Sequence, residues 1–148
     1  LGMILNKSLI NKSYPPVEFD IEKQRVKLFS KVTGQTDPVY FDEKAAQEKG
    51  YPSLLTPLTF LTTVGHEQKN PYRYLDDLSI SIQNILHAGQ KFKYHKLVFV
   101  GEKIKMESKI KDMYEKKNGN LKFVEIESLF FNRKKELMVE SLSTLVKR

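Results

Sequence analysis

The spacing of apolar positions changes once along the chain. Ahead of residue 66 it repeats as in helices, with Ile21, Leu28, Phe29 and Val32 falling on one helical stripe. Asp20 reads as the N-cap of that helix and Gly34 as its stop. Glu22 sits in its first turn, where a carboxylate favours the helix dipole. Asp42 to Lys49 forms a second, shorter helix, capped by Asp42 and closed by Gly50. Thr56-Pro57 opens a third, with proline at its first position and Gly65 at its end. The stretch Leu58 to Val64 carries no charged side chain, so this helix is expected to be buried. Before all three, the prolines of Tyr14-Pro15-Pro16-Val17-Glu18-Phe19 hold the backbone extended.

After a polar loop over 66–78 with Pro71, Tyr72 and Tyr74, the period becomes two. Phe92 and Tyr94 alternate with Lys91, Lys93 and His95. Ile104, Met106 and Ile110 alternate with Lys103, Lys105, Glu107, Lys109 and Lys111, giving one buried and one wet face. Asn118-Gly119 is a hairpin-turn signal, and two further strands follow near 121–131 and 137–146. Helices first, then four long antiparallel strands, make an α+β domain over 1–148 whose sheet must cover the helix at 57–65.

Composition narrows the class. The 148 residues are 40% hydrophobic and 29% charged, too apolar for a disordered tail. No apolar run approaches the ~20 residues of a membrane-spanning helix, so no membrane partner is expected. Leu1-Gly2-Met3 does not open a secretory signal; Leu1 and Gly2 read as a remnant ahead of a native Met3, and a cytoplasmic location is expected. With no cysteine, disulfides, thiolate metal sites and a cysteine nucleophile are excluded. Three dispersed histidines without carboxylates at ligand spacing make no metal site, and His66 and His95 are expected to face solvent. Neither a glycine-rich phosphate loop nor a Gly-x-Ser-x-Gly elbow is present.

Charge is one-sided. Residues 1–88 carry ten basic and ten acidic side chains, whereas 89–148 carry fifteen and eight, so the net +7 lies in the second part. Such a region suits an anionic partner, whether a phosphorylated cofactor or an acidic carrier protein; equally it describes a solvated lysine-rich sheet face. Its basic residues are not interleaved with aromatics as a nucleic-acid stacking platform requires, so no nucleic acid is expected.

Three stretches carry a resemblance. They are Thr33-Gly34-Gln35-Thr36-Asp37-Pro38-Val39-Tyr40 with Ala45-Ala46 and Gly50-Tyr51-Pro52; Thr56-Pro57-Leu58-Thr59-Phe60; and Leu86-His87-Ala88-Gly89-Gln90-Lys91-Phe92-Lys93-Tyr94-His95 with Val100-Gly101-Glu102. In this order, over roughly 14–145, the chain resembles the MaoC-like hot-dog dehydratases. It is most similar to their N-terminal, type-I fatty-acid-synthase-like dehydratase domain and to the substrate-binding subunit of two-subunit (3R)-hydroxyacyl carrier-protein dehydratases. The resemblance implies a curved antiparallel sheet wrapped around a buried central helix, a place in fatty acid metabolism, and thioesters of coenzyme A or acyl carrier protein as ligands. No cofactor is implied.

Reversible dehydration needs a proton removed beside the thioester carbonyl and another delivered to the departing hydroxyl. Catalytic relatives use an Asp and, five positions on, a His; Gln35 and Tyr40 stand there in this chain. Glutamine exchanges no useful proton, and an unperturbed tyrosine titrates near ~10. The resemblance therefore implies a subunit that binds substrate while a catalytic hot-dog partner supplies the pair. A homodimeric thioester hydratase or thioesterase using other residues, with His87 as its candidate, stays open, as does a non-catalytic acyl-CoA-binding regulator. Candidate substrate-binding residues are Asp37, Tyr40, Thr56, Pro57, Thr59, His87 and Gln90. Against these stand plainer roles: a turn cap for Asp37, a sheet-edge hydrogen bond for His87, a solvated strand position for Gln90. The opening of the third helix would offer amides to the thioester carbonyl, and Lys91, Lys93 and Lys96, or Lys103 and Lys105, would meet the phosphates.

Overall fold

The computed structural model describes residues 5–147; Leu1, Gly2 and Met3 lie outside them. Five strands form one antiparallel sheet: β1 (Val17–Asp20), β2 (Ile85–Tyr94), β3 (Lys103–Lys116), β4 (Leu121–Phe131) and β5 (Leu137–Lys147), in the spatial order β1-β3-β4-β5-β2. The segment expected only to be extended, Tyr14 to Phe19, contributes a fifth strand beyond the four expected: β1 pairs with β3 from Val17↔Met106 to Asp20↔Lys103. Beyond β1 the edge of β3 is covered by the chain just upstream, through the Ser13↔Lys109 bridge and the Tyr14 N–H to the Ser108 carbonyl at 2.9 Å. Among the described residues, no strand pairs with the outer edge of β2.

Helix α1 (Lys23–Val32) differs from its expected limits and face. Asp20 closes β1, Glu22 holds the N-cap position without a side-chain hydrogen bond, and Ile21 is buried ahead of the helix. The face turned inward carries Val26 and Ser30, whereas Leu28 and Val32 are 63% and 71% exposed. Ser30 tolerates burial because its hydroxyl donates to the Val26 carbonyl at 2.7 Å. Gly34, at φ +77°, ends this helix as expected. Helix α2 (Glu43–Glu48) has the expected cap: Asp42 Oδ1 accepts from the amides of Lys44 and Ala45 at 2.8 and 3.2 Å.

The central helix is buried on Phe60, Leu61 and Val64 but is a 3₁₀ helix, Phe60–Glu67, starting three residues after Pro57. Thr56 donates its N–H to the Val98 carbonyl at 2.9 Å, and the Pro57 carbonyl accepts from the N–H of Phe60, the first helical residue, at 2.9 Å. Tight turns are favoured because Thr62 and Thr63 each donate a hydroxyl to the carbonyl three residues back, at 2.8 and 2.9 Å. The helix also runs past Gly65. The expected loop over 66–78 contains a further helix, α3 (Arg73–Asp77), anchored by buried Leu75.

The hairpin at Asn118-Gly119 forms as expected, with both residues at positive φ and the Asn120 N–H on the Lys117 carbonyl. Alternation on β3 breaks once. Ile110 pairs with Ile126 and Asp112 with Glu125, so Lys111 is bulged and Met113, not Asp112, faces inward. Two apolar clusters result. One joins Phe19, Val26, Phe60, Val64, Met106, Phe130 and Val139; the other joins Leu78, Ile80, Ile110, Met113, Val124 and Ile126.

Candidate functional site

A cavity of about 790 Å³ opens between the inner face of the sheet, the 3₁₀ helix and the α3 segment. Its apolar walls include Leu61, Leu75, Ile85, Phe92, Met106, Ile126, Phe130 and Leu145. Polar groups enter its floor from four adjacent strands: Ser108 of β3, Ser128 of β4, Ser141 and Ser143 of β5, and His87 and Gln90 of β2. The Ser108 and Ser128 hydroxyls are 2.8 Å apart. Gln90 ties the other three together: its Nε2 donates to Ser141 at 2.7 Å, and its Oε1 accepts from Ser143 at 2.6 Å and lies 3.1 Å from His87 Nε2. With Nε2–H donating there, the neutral His87 ring keeps Nδ1 able to take a proton.

Local register puts His87 and Gln90 side by side. His87 pairs with Leu145 and Gly89 with Thr144, which leaves Ala88 bulged and turns both side chains to the same face. Gln90 is thus not the solvated residue its position suggests but the hub of the polar floor. His66 is exposed, as expected, and also lines the cavity, with its ring 6.1 Å from that of Tyr72. His95 sits elsewhere, its Nε2 2.7 Å from Glu140, which holds that carboxyl below the usual range.

Other candidates are dispersed. Thr59 lines the cavity, but Thr56 and Pro57 are packed in the interior and do not. Thr56 is 3% exposed and its Oγ1 lacks a hydrogen-bond partner. Asp37, Gln35 and Tyr40 also lie off the cavity. Asp37 caps the following turn through the Val39 amide at 3.1 Å and pairs with Lys49 at 2.9 Å; these contacts, Lys49 first, lower its pKa. Burial, then the Asp37 charge, raises that of Tyr40. Gln35 and Tyr40 therefore form no proton-transfer pair in the cavity.

The basic second half is largely an outer sheet face. Lys93 reaches Glu140, Lys96 Glu136, Lys103 Asp20, Lys105 Glu107, and Lys109 and Lys111 both reach Glu127. Lys91 and Lys93 alternate with Gln90 and Phe92, so they stand on the face away from the cavity. Among the described residues, the one Lys or Arg side chain that lines it is Arg73. The signal for the floor was in the sequence all along: Ser108, Ser128, Ser141 and Ser143 interrupt inward positions that are otherwise apolar.

Comparison with known proteins fits this geometry. A UPF0336 protein of Streptomyces griseus is 25% identical over 147 residues, 99% of this chain and 97% of its own length. Among solved structures, a chain of the C-terminally truncated HadBC (3R-hydroxyacyl-ACP dehydratase) complex from Mycobacterium tuberculosis superposes with a TM-score of 0.80 at 25% identity, covering 93% of this chain and 96% of that one. A chain of the ChsH1-ChsH2 complex, also from Mycobacterium tuberculosis, gives 0.72 at 16% identity over 92% and 88%, a likeness of fold. The family described as FAS1-like, dehydratase domain region, matches residues 8–141, so the chain belongs to the MaoC-like hot-dog dehydratase group through that family.

Proposed function

We propose that this chain binds the acyl part of a (3R)-hydroxyacyl thioester and depends on a catalytic hot-dog partner for proton transfer. The observation that carries the reading is the apolar cavity under the sheet combined with Gln35 and Tyr40 off it, where catalytic relatives keep an Asp and a His. A substrate with an apolar tail fits such a space, and neither side chain exchanges a proton readily near neutral pH. The unpaired outer edge of β2 supports a partner chain, because ten residues of strand would otherwise leave their hydrogen-bonding groups to solvent. The test is enoyl-CoA hydration by the purified chain, alone and mixed with a hot-dog chain that has an intact Asp/His pair. Activity only in the mixture is expected.

A second reading, a homodimeric hydratase or thioesterase, is favoured by one contact: His87 beside Gln90 at the cavity. Turnover by the chain alone, lost in His87→Ala and kept in Gln35→Ala, selects it over the first.

A further inference from the structure

We infer that the preferred acyl chain carries an oxygen within its length, remote from the thioester, and that Ser128 and Ser141 receive it. This rests on the thioester reading above and adds a substrate class to it. The floor of the cavity is a polar seam between two apolar clusters. On one side lie Met106, Phe130 and Val139, on the other Ile110, Ile126 and Val124, and the seam crosses the strands between them. Its rows follow from register: Ser108 faces Ser128, and Ser128 faces Ser141.

Hydrogen counting shows what the seam offers. Ser141 Oγ accepts from Gln90, so its own hydrogen is free to donate into the cavity. The Ser108–Ser128 contact uses one hydrogen of two, so that pair keeps a second donor. Ser141 is only 8% exposed, hence the donor is held in a largely desolvated place. Gln90 is the positioning residue, since both ends of its amide are engaged by protein groups. A saturated chain laid across the seam covers these hydroxyls without offering an acceptor, and that loss weakens its binding. An ether, keto or hydroxyl oxygen on the chain removes the loss. The 3-hydroxyl of a simple substrate does not match, because one of its neighbours is the polar thioester, whereas the seam is apolar on both sides.

The experiment compares binding of dodecanoyl-CoA with a set of hydroxydodecanoyl-CoAs bearing the hydroxyl at successive carbons from the fifth to the tenth, by titration calorimetry. The expected result is one position bound roughly five- to tenfold more tightly than dodecanoyl-CoA, with the ratio falling to about one in Ser141→Ala and shrinking in Ser128→Ala. Ala is tolerated at both sites because the cavity already borders them, and circular dichroism checks the fold. If dodecanoyl-CoA binds as tightly as every hydroxylated probe, the inference is overturned and the thioester reading stands. If no acyl-CoA binds, both fall.

Discussion

Nε2 of His87 lies 3.1 Å from Oε1 of Gln90, although residues three apart in an unbroken strand face opposite sides of the sheet. The bulged Ala88 makes the contact possible. One inserted residue thereby brings two side chains of β2 onto the cavity floor and lets a single amide organise three partners, His87, Ser141 and Ser143, across β2 and β5.

Gln90→Leu keeps the bulk of the side chain and removes the hub. It strands Ser141, Ser143 and His87, and is expected to cost about 1–2 kcal/mol, chiefly at the buried Ser141, since Ser143 and His87 remain within reach of solvent. Urea denaturation checks this, with the midpoint lowered and the slope unchanged. A midpoint equal to wild type would show that the hub adds nothing to stability.

Asp77 pins the upstream segment to α3, with Lys12 Nζ and the Tyr14 hydroxyl each 2.8 Å from Oδ2. The Lys12 contact first, then Tyr14, lowers the Asp77 pKa, while burial first, then Asp77, raises that of Tyr14. A carboxyl held below its unfolded value stabilises the fold at pH above that value and loses the contribution as pH falls through the lowered one. Asp77→Asn is therefore less stable than wild type at pH 7, by a small margin given solvent screening, and the gap closes at acidic pH, below the ordinary carboxylate range. Denaturation curves of both proteins at neutral and acidic pH decide it; a gap independent of pH contradicts the assignment.

Thr56 buries a hydroxyl with no partner, so the isosteric Thr56→Val is expected to stabilise the fold by about 1 kcal/mol. Thermal unfolding reads the change. A loss of stability would mean that the hydroxyl is satisfied in solution.

The open edge of β2 predicts association through that strand. Sedimentation velocity should show a species of twice 17.3 kDa at micromolar concentration, or a complex with a catalytic hot-dog chain when one is supplied. A stable monomer under both conditions contradicts the partner requirement.

The sheet was legible because strand alternation and the Asn118-Gly119 turn are local signals that the register then confirms. The central segment was legible as buried, yet not as 3₁₀, because the competing Thr62 and Thr63 hydroxyl bonds depend on a conformation that spacing alone does not reveal. The expected stripe holds at Ile21 and at Phe29, whose ring packs on Phe60, but fails at Leu28 and Val32, since Val26 and a hydrogen-bonded Ser30 meet the core instead. At the site, bulges at Ala88 and Lys111 reset the parity of two strands, and a bulge is a tertiary fit that leaves almost no trace in sequence. The serine floor is different: Ser108, Ser128, Ser141 and Ser143 stay in phase with their apolar neighbours, so their inward positions were legible, whereas Arg73 of the 66–78 segment reaches the cavity only through the tertiary fold.

Blocking the cavity under the sheet tests most directly whether it receives an acyl thioester. Thr59 is exposed on the cavity rim and makes no capping hydrogen bond with its side chain, so Thr59→Trp fills the entrance without removing a contact the fold needs. Thermal unfolding of both proteins is measured with and without excess dodecanoyl-CoA. The account predicts a ligand-induced rise in Tm for wild type that is absent in Thr59→Trp at equal unliganded stability. An equal rise in both proteins, or none in wild type, contradicts it.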